Sequence, residues 1–186
     1  MKRLFDLLVS ILLLLVLSFL MLLIAIAIRL TSKGSSIYWS DRVGRNNTVF
    51  KMPKFRSMLL NTPIVATHLL EEPDLYLSPI GNFLRRTSLD ELPQLFSVLK
   101  GDMSFVGPRP ALFNQSDLIS LRSLKGVDKL LPGITGLAQI NGRDKLTINE
   151  KVELDVRYLE KHSLWVDIKI LFKTLRKVIK KTGIAH

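Results

Sequence analysis

From Leu7 to Ile28 the chain carries no charged side chain. As a helix, that run measures about 33 Å, against roughly 30 Å for the hydrocarbon core of a bilayer. A helix apolar on every side and this long reads as a membrane-embedded segment. Lys2 and Arg3 before it, and its end in Ala25-Ile26-Ala27, imitate a secretory leader with a small-residue cleavage site. The run is too long for the apolar part of such a leader, and the sequence has no cysteine and so no disulfide. Basic residues flank both ends, Lys2 and Arg3 before, Arg29 and Lys33 after. Charge therefore sends neither end clearly to the far side. A single crossing and a helix that enters one leaflet and returns both stay open.

The 186 residues are one domain's worth with an appendage, divided as a membrane-embedded segment at 1–33 and a globular remainder at 34–186. A net charge of +11 and a pI near 10.1 ask for an anionic partner. Nucleic acid, an acidic membrane face and a phosphorylated substrate would all serve. His68, His162 and His186 stand far apart in no ligand spacing, and thiolates are absent, so zinc and histidine-triad chemistry are disfavoured.

Beyond Gly34-Ser35-Ser36, which breaks the helix, Ile37–Trp39 and Val49–Lys51 read as short strands around the polar turn Asp41–Thr48. Asn61 to Pro79 reads as loop, with one helical turn near His68 to Glu71. A helix is expected from Leu89 to Lys100, stopped by Gly101. Gly101 to Pro110 and Pro132 to Arg143 read as glycine-rich loops whose amides can approach an anion. Asn114–Leu131 and Ile148–His162 read as further helices. From Val166 to Ile179, apolar Ile168, Leu171, Phe172, Leu175 and Ile179 share one side, with Lys169, Lys173, Arg176, Lys177 and Lys180 on the other. That pattern suits a helix in the headgroup plane of an acidic membrane, and equally a basic helix packed on its own domain.

Asp90 and Glu91 stand side by side after Arg85 and Arg86. The plain reading is a capping box, Ser88-x-x-Glu91, opening the helix. The chemical reading takes Asp90 as a carboxylate ionised near its ordinary pKa of about 3.9 and able to attack phosphorus without a general base. It would have to approach a polyanion, so cations are required. Mg²⁺ suits a carboxylate plus substrate phosphates, and Lys54, Arg56, Arg85, Arg109 and Arg143 supply fixed charge.

Lys54-Phe55-Arg56-Ser57-Met58, Ser88 to Gln94, Leu99 to Ser104, Val106 to Pro110, Pro132 to Gln139 and Asn141-Gly142-Arg143 together resemble the bacterial sugar transferases known as monotopic phosphoglycosyl transferases. Lys2-Arg3 with Asp6, Asp155-x-x-Tyr158 and Asp167-x-Lys169 extend the likeness over nearly the whole chain, at the length of the family's single-module form. The resemblance implies transfer of a sugar phosphate from a UDP-sugar to undecaprenyl phosphate at the cytoplasmic face of the bacterial inner membrane. It makes Asp90 the nucleophile and a metal-coordinating residue, and Glu91 its partner beside Mg²⁺. Lys54, Arg85 and Arg109 match positions near the nucleotide and phosphates, with Gln139 and Arg143 in the loop after them. The implied fold is mainly helical α+β: a re-entrant N-terminal membrane helix, a small β-hairpin and interfacial amphipathic helices around a membrane-surface active site. UDP-sugar, undecaprenyl phosphate and acidic lipids are the implied partners, and nucleic acid is not.

Three positions depart from the pattern. The family's membrane helix is commonly broken at Ser-Pro, whereas Phe19 follows Ser18 here. Ser18 can instead bond back to the carbonyl of Leu14 and bend the helix gently. Leu137 stands where the family often has Trp, and Pro53 where it often has an aromatic residue. Two other readings survive: a one-step transferase whose dyad only holds metal, and a non-enzymatic basic membrane scaffold.

Overall fold

The computed structural model describes residues 1–63, 72–142 and 145–180. Helix α1 (Lys2–Thr31) is unbroken. Ser18 Oγ donates to the carbonyl of Leu15 at 2.8 Å, rather than to Leu14. One stripe of α1 is buried, through Asp6, Ser10, Met21, Ile24 and Ile28, with half-buried Leu13, Leu14 and Leu17 between. The opposite stripe, Leu8, Leu12, Leu15, Phe19, Leu22 and Ile26, is exposed. Steps of three and four residues keep each stripe on one side.

Both ends of α1 are bonded to one globular body. At the start, Lys2 pairs with Asp167 and donates to the Val106 carbonyl at 3.0 Å. Arg3 donates to the carbonyls of Val98 and Leu99 at 2.6 and 2.8 Å, and Asp6 accepts the Phe105 N–H. At the far end, Arg56 donates to the carbonyl and hydroxyl of Ser32. The residues set apart from sequence as 1–33 thus share their cores with 34–186, as Ile28 does with Phe55 and Leu84.

Strands β1 (Ile37–Val43) and β2 (Val49–Phe55) form an antiparallel hairpin placing Tyr38 opposite Lys54 and Arg42 opposite Phe50. Both strands extend beyond the 37–39 and 49–51 expected, and the turn shrinks to five residues closed by the Gly44 N–H on the Thr48 carbonyl. Pro53 fits because β2 lies at the sheet edge, where a missing N–H costs no ladder bond.

The expected single helix over 89–100 is split. Leu89–Glu91 is one 3₁₀ turn, and the α-helix begins only after Pro93. Proline has no N–H to give the helix interior, so it marks the new start. The Ser88–Glu91 capping box does not form: Ser88 sits in the left-handed region at φ 56° and its side chain caps nothing. Helix α2 (Gly81–Arg86) precedes this turn and α3 (Gln94–Lys100) follows it, ending as expected at Gly101 with φ 101°. The capping box the chain does contain is Thr147 with Glu150, opening a later helix.

Both glycine-rich loops hold short strands. β3 (Ser104–Val106) pairs in parallel with a strand at Gly133–Thr135, and β4 (Ala111–Leu112) joins β1. The sequence reading missed them because neither has strand length or alternation. Backbone closeness explains them: a Cβ at Gly107 would meet the Leu131 carbonyl at 2.2 Å, and one at Gly133 would meet the Gly107 nitrogen at 2.1 Å. The region expected as one helix over 114–131 is α4 (Ser116–Leu124), then left-handed Gly126 and a 3₁₀ turn, ahead of β5 (Gly133–Thr135).

Helices α5 (Leu137–Asn141), α6 (Ile148–Lys161) and α7 (Leu164–Lys180) complete the fold. On α7 the division of faces differs from the expectation. Asp167 and Ile170 are buried and Leu171 packs against the core, while Trp165, Ile168, Phe172 and Leu175 form an exposed apolar stripe. The turn expected at His68 to Glu71, Arg143, and the side chains of Ile179 and Lys180 lie outside the described residues. The architecture is mainly helical α+β with a long apolar N-terminal helix.

Candidate active site

The 3₁₀ turn after left-handed Ser88 presents Asp90 and Glu91 toward the β-hairpin. Glu91 accepts from Lys54 of β2 at 2.8 Å and from Arg109 at 3.5 Å. Asp90 is only 9% exposed, and no hydrogen bond among the described residues engages its carboxylate. Burial raises its pKa above the ordinary value; Lys54 opposes that most strongly, Glu91 reinforces it, and Arg85 and Arg109 oppose it. Asp90 therefore does not keep the unperturbed pKa assumed from sequence. Its negative charge depends on the cations around it. Lys54 is shifted down, first by burial, with Glu91 and then Asp90 supporting its charge.

Lys54, Arg85, Asp90, Glu91 and Arg109 thus come together from β2, α2, the 3₁₀ turn and the segment between β3 and β4. Arg85 also donates toward the Met58 sulfur at 3.4 Å. Arg56 goes elsewhere, to Ser32 at the end of α1. Gln139 lies on α5, beside the close approach of Gly107 and Gly136, and both its amide atoms are buried with no hydrogen-bond partner among the described residues.

The segment carrying Arg109 is held by its carbonyls. Val106 accepts from Lys2 and Tyr158, Pro108 from the Gly133 N–H, Arg109 from Arg122, and Pro110 from Arg42. Arg122 is itself fixed on α4 by buried Asp155 of α6, through bonds of 2.7 and 3.0 Å. Neither Arg42 nor Arg122 was singled out from sequence, although each left a trace. Arg42 shares a strand face with Tyr38, the cross-strand partner of Lys54. Asp155 is a carboxylate inside the apolar stripe of α6, between buried Val152 and Tyr158.

A metal ion here would meet carboxylate oxygens, the donors Mg²⁺ takes, rather than the nitrogen and sulfur donors of a transition-metal site. Among the described residues no cluster of three His, Cys, Asp or Glu side chains could cage an ion, but Mg²⁺ is commonly held by one or two carboxylates with substrate phosphates and water. Asp90 offers such an oxygen, while Glu91 is already bonded to cations.

The model of the family described as bacterial sugar transferase matches residues 1–181. The chain belongs to that family. It is 40% identical over 200 residues to an undecaprenyl-phosphate galactose phosphotransferase of Salmonella typhimurium, covering 98% of this chain and 41% of that protein. It is 43% identical over 185 residues to a UDP-glucose:undecaprenyl-phosphate glucose-1-phosphate transferase of Klebsiella pneumoniae, covering 95% and 39%. The sugar transferase EpsL of Bacillus subtilis is 41% identical over 184 residues, covering 98% and 89%. The chain therefore spans about two fifths of the length of the first two relatives and most of the third.

Proposed function

We propose that this transferase moves a sugar 1-phosphate from a UDP-sugar to undecaprenyl phosphate in two displacements. An Asp90 carboxylate oxygen attacks the sugar-proximal phosphorus. The bond from that phosphorus to the bridging oxygen breaks, and UMP leaves with the electron pair. An oxygen of the lipid phosphate then attacks the same phosphorus and expels Asp90, which regains its carboxylate. The observation that carries this reading is a buried carboxylate engaged by no described hydrogen bond but placed among Lys54, Arg85 and Arg109. Like charges about 4 Å apart repel by roughly 4 kcal/mol at an effective dielectric of 20, so a carboxylate can meet a diphosphate only with such company. Glu91 holds Lys54 and Arg109 in place. Mg²⁺, held by Asp90 and substrate phosphates, would neutralise charge on the diphosphate.

A bilayer accounts for the exposed stripe of α1 and for Trp165, Ile168, Phe172 and Leu175 on α7, flanked by Lys169, Lys173 and Arg176. One body holds both ends of α1, which favours a helix seated in one leaflet over one that crosses. The site then opens at the cytoplasmic face of the inner membrane, over acidic lipids. The test is release of UMP from a panel of UDP-sugars by the full chain in liposomes, with and without undecaprenyl phosphate. Product lipid-linked sugar diphosphate is expected; absence of UMP from every UDP-sugar would remove the reading.

A further inference from the structure

A cation beside the dyad has no role in the chemistry so far. Arg42 lies on β1, half-buried. Its Nε donates to the Ser40 hydroxyl at 3.0 Å and its Nη1 to the Pro110 carbonyl at 3.1 Å. Both acceptors are neutral, and among the described residues Arg42 makes no ion pair. The carboxylate that acts on it, Glu91, is the one already bonded to Lys54 and Arg109. Burial, and next the charge of Arg109, pull the Arg42 pKa down to about 10. A guanidinium taken out of water without a counterion is costly, and most such groups in proteins are paired.

The two bonds of Arg42 set which edge of its guanidinium is left to act. One bond ties the guanidinium to the Pro110 carbonyl, one residue beyond Arg109, and the other to Ser40 on its own strand, so Arg42 is anchored beside the segment that carries Arg109. Arg42 also acts on Lys54. An ordinary loop support would place an amide or hydroxyl there and avoid stacking a third cation beside Arg109 and Lys54. A diphosphate, with an ionised oxygen on each phosphorus, supplies what this group lacks, and Arg can fork onto phosphate oxygens. We propose that Arg42 is a further binding residue for the diphosphate of the nucleotide substrate, its free guanidinium edge facing a phosphate oxygen while its other edge holds the Pro110 carbonyl. This rests on the function proposed above and assigns one more contact to it.

The test compares Arg42→Gln and Arg42→Lys with wild type, using the full chain in liposomes. Calorimetry measures binding of UDP, UMP and uridine, UMP release gives KM and kcat, and circular dichroism reports the fold. Arg42→Gln should weaken UDP by about tenfold to a hundredfold, the usual weight of a charge-assisted hydrogen bond, and leave uridine unchanged. KM should rise more than kcat falls. Arg42→Lys, which keeps the charge and loses the fork, should recover part of the UDP affinity. The proposal is overturned if Arg42→Gln binds UDP like wild type, or if both variants lose UDP, UMP and uridine alike, as a merely structural support would. A wild type that turns over no UDP-sugar and binds no UDP overturns the parent function as well. A working wild type with an indifferent Arg42→Gln overturns only the inference about Arg42.

Discussion

Two buried carboxylates, Asp155 and Asp90, answer burial in opposite ways. In both, burial is the largest influence and raises the pKa. Asp155 has a bonded partner: Arg122 gives its Oδ2 two bonds, at 2.7 and 3.0 Å, and spends a third donor on the Arg109 carbonyl. Asp90 has cations around it but no described hydrogen bond on its carboxylate. The first arrangement is complete without a ligand and acts as a strut. The second is complete only when something else arrives, as expected of a group that must react. The same residue types therefore separate into scaffold and site by whether the protein satisfies them.

The largest expected effect comes from removing Asp90, the proposed nucleophile. Asp90→Asn should lower kcat/KM by at least about 10³-fold, roughly 4 kcal/mol of transition-state stabilisation. It should also raise the thermal midpoint at neutral pH. The folded pKa of Asp90 is raised, so its ionised form destabilises the fold as pH climbs through that pKa. Below about pH 3.9 the carboxyl is protonated in both folded and unfolded chains, so the gain from Asn should fade there. A midpoint that drops at pH 7 would contradict a destabilising Asp90 carboxylate and place it among the groups that hold the fold together.

Breaking the strut should do the reverse. Arg122→Leu leaves Asp155 buried and unpaired, at a cost on the order of 3 kcal/mol, or roughly 6–12 °C in thermal midpoint for a chain of this size. Adding Asp155→Leu should restore most of that stability by removing the stranded charge. Failure of the double variant to recover would mean that the pair contributes more than mutual neutralisation.

Lys54→Met sharpens the account of the site itself. Lys54 is the strongest influence holding the Asp90 pKa down, so its loss should move the acid limb of the kcat/KM profile to higher pH. An unmoved limb would uncouple Lys54 from Asp90. The smallest effect expected is from Thr147→Ala, which removes the capping box of α6: about 1 kcal/mol of stability, with turnover unchanged.

Much of this was legible in the sequence, for reasons that differ by element. The uncharged run from Leu7 to Ile28 could only be a long apolar helix, and Gly101 and the α6 pattern marked real ends and faces. The dyad was visible as adjacent carboxylates, with Lys54, Arg85 and Arg109 within reach of it through the family motifs. The plain alternative, a Ser88-x-x-Glu91 cap, does not form: a cap signal says nothing of Lys54, which is distant in sequence and takes the same carboxylate. Strands β3 and β5 were hidden because backbone contact among Gly107, Gly133 and Gly136 creates them, with no alternation of side chains. Arg42 and Arg122 were hidden because each acts through a carbonyl on a different element. Arg56 was read as a site residue from its motif, whereas its guanidinium serves Ser32.

Intact-protein mass spectrometry after exposure to a UDP-sugar without lipid phosphate tests the central claim most directly. The account predicts a mass gain of one sugar phosphate, mapped to Asp90, released on adding undecaprenyl phosphate and absent from Asp90→Asn. Turnover with lipid present, but no adduct in its absence on a rapid-quench timescale, would contradict it and point to direct attack by the lipid.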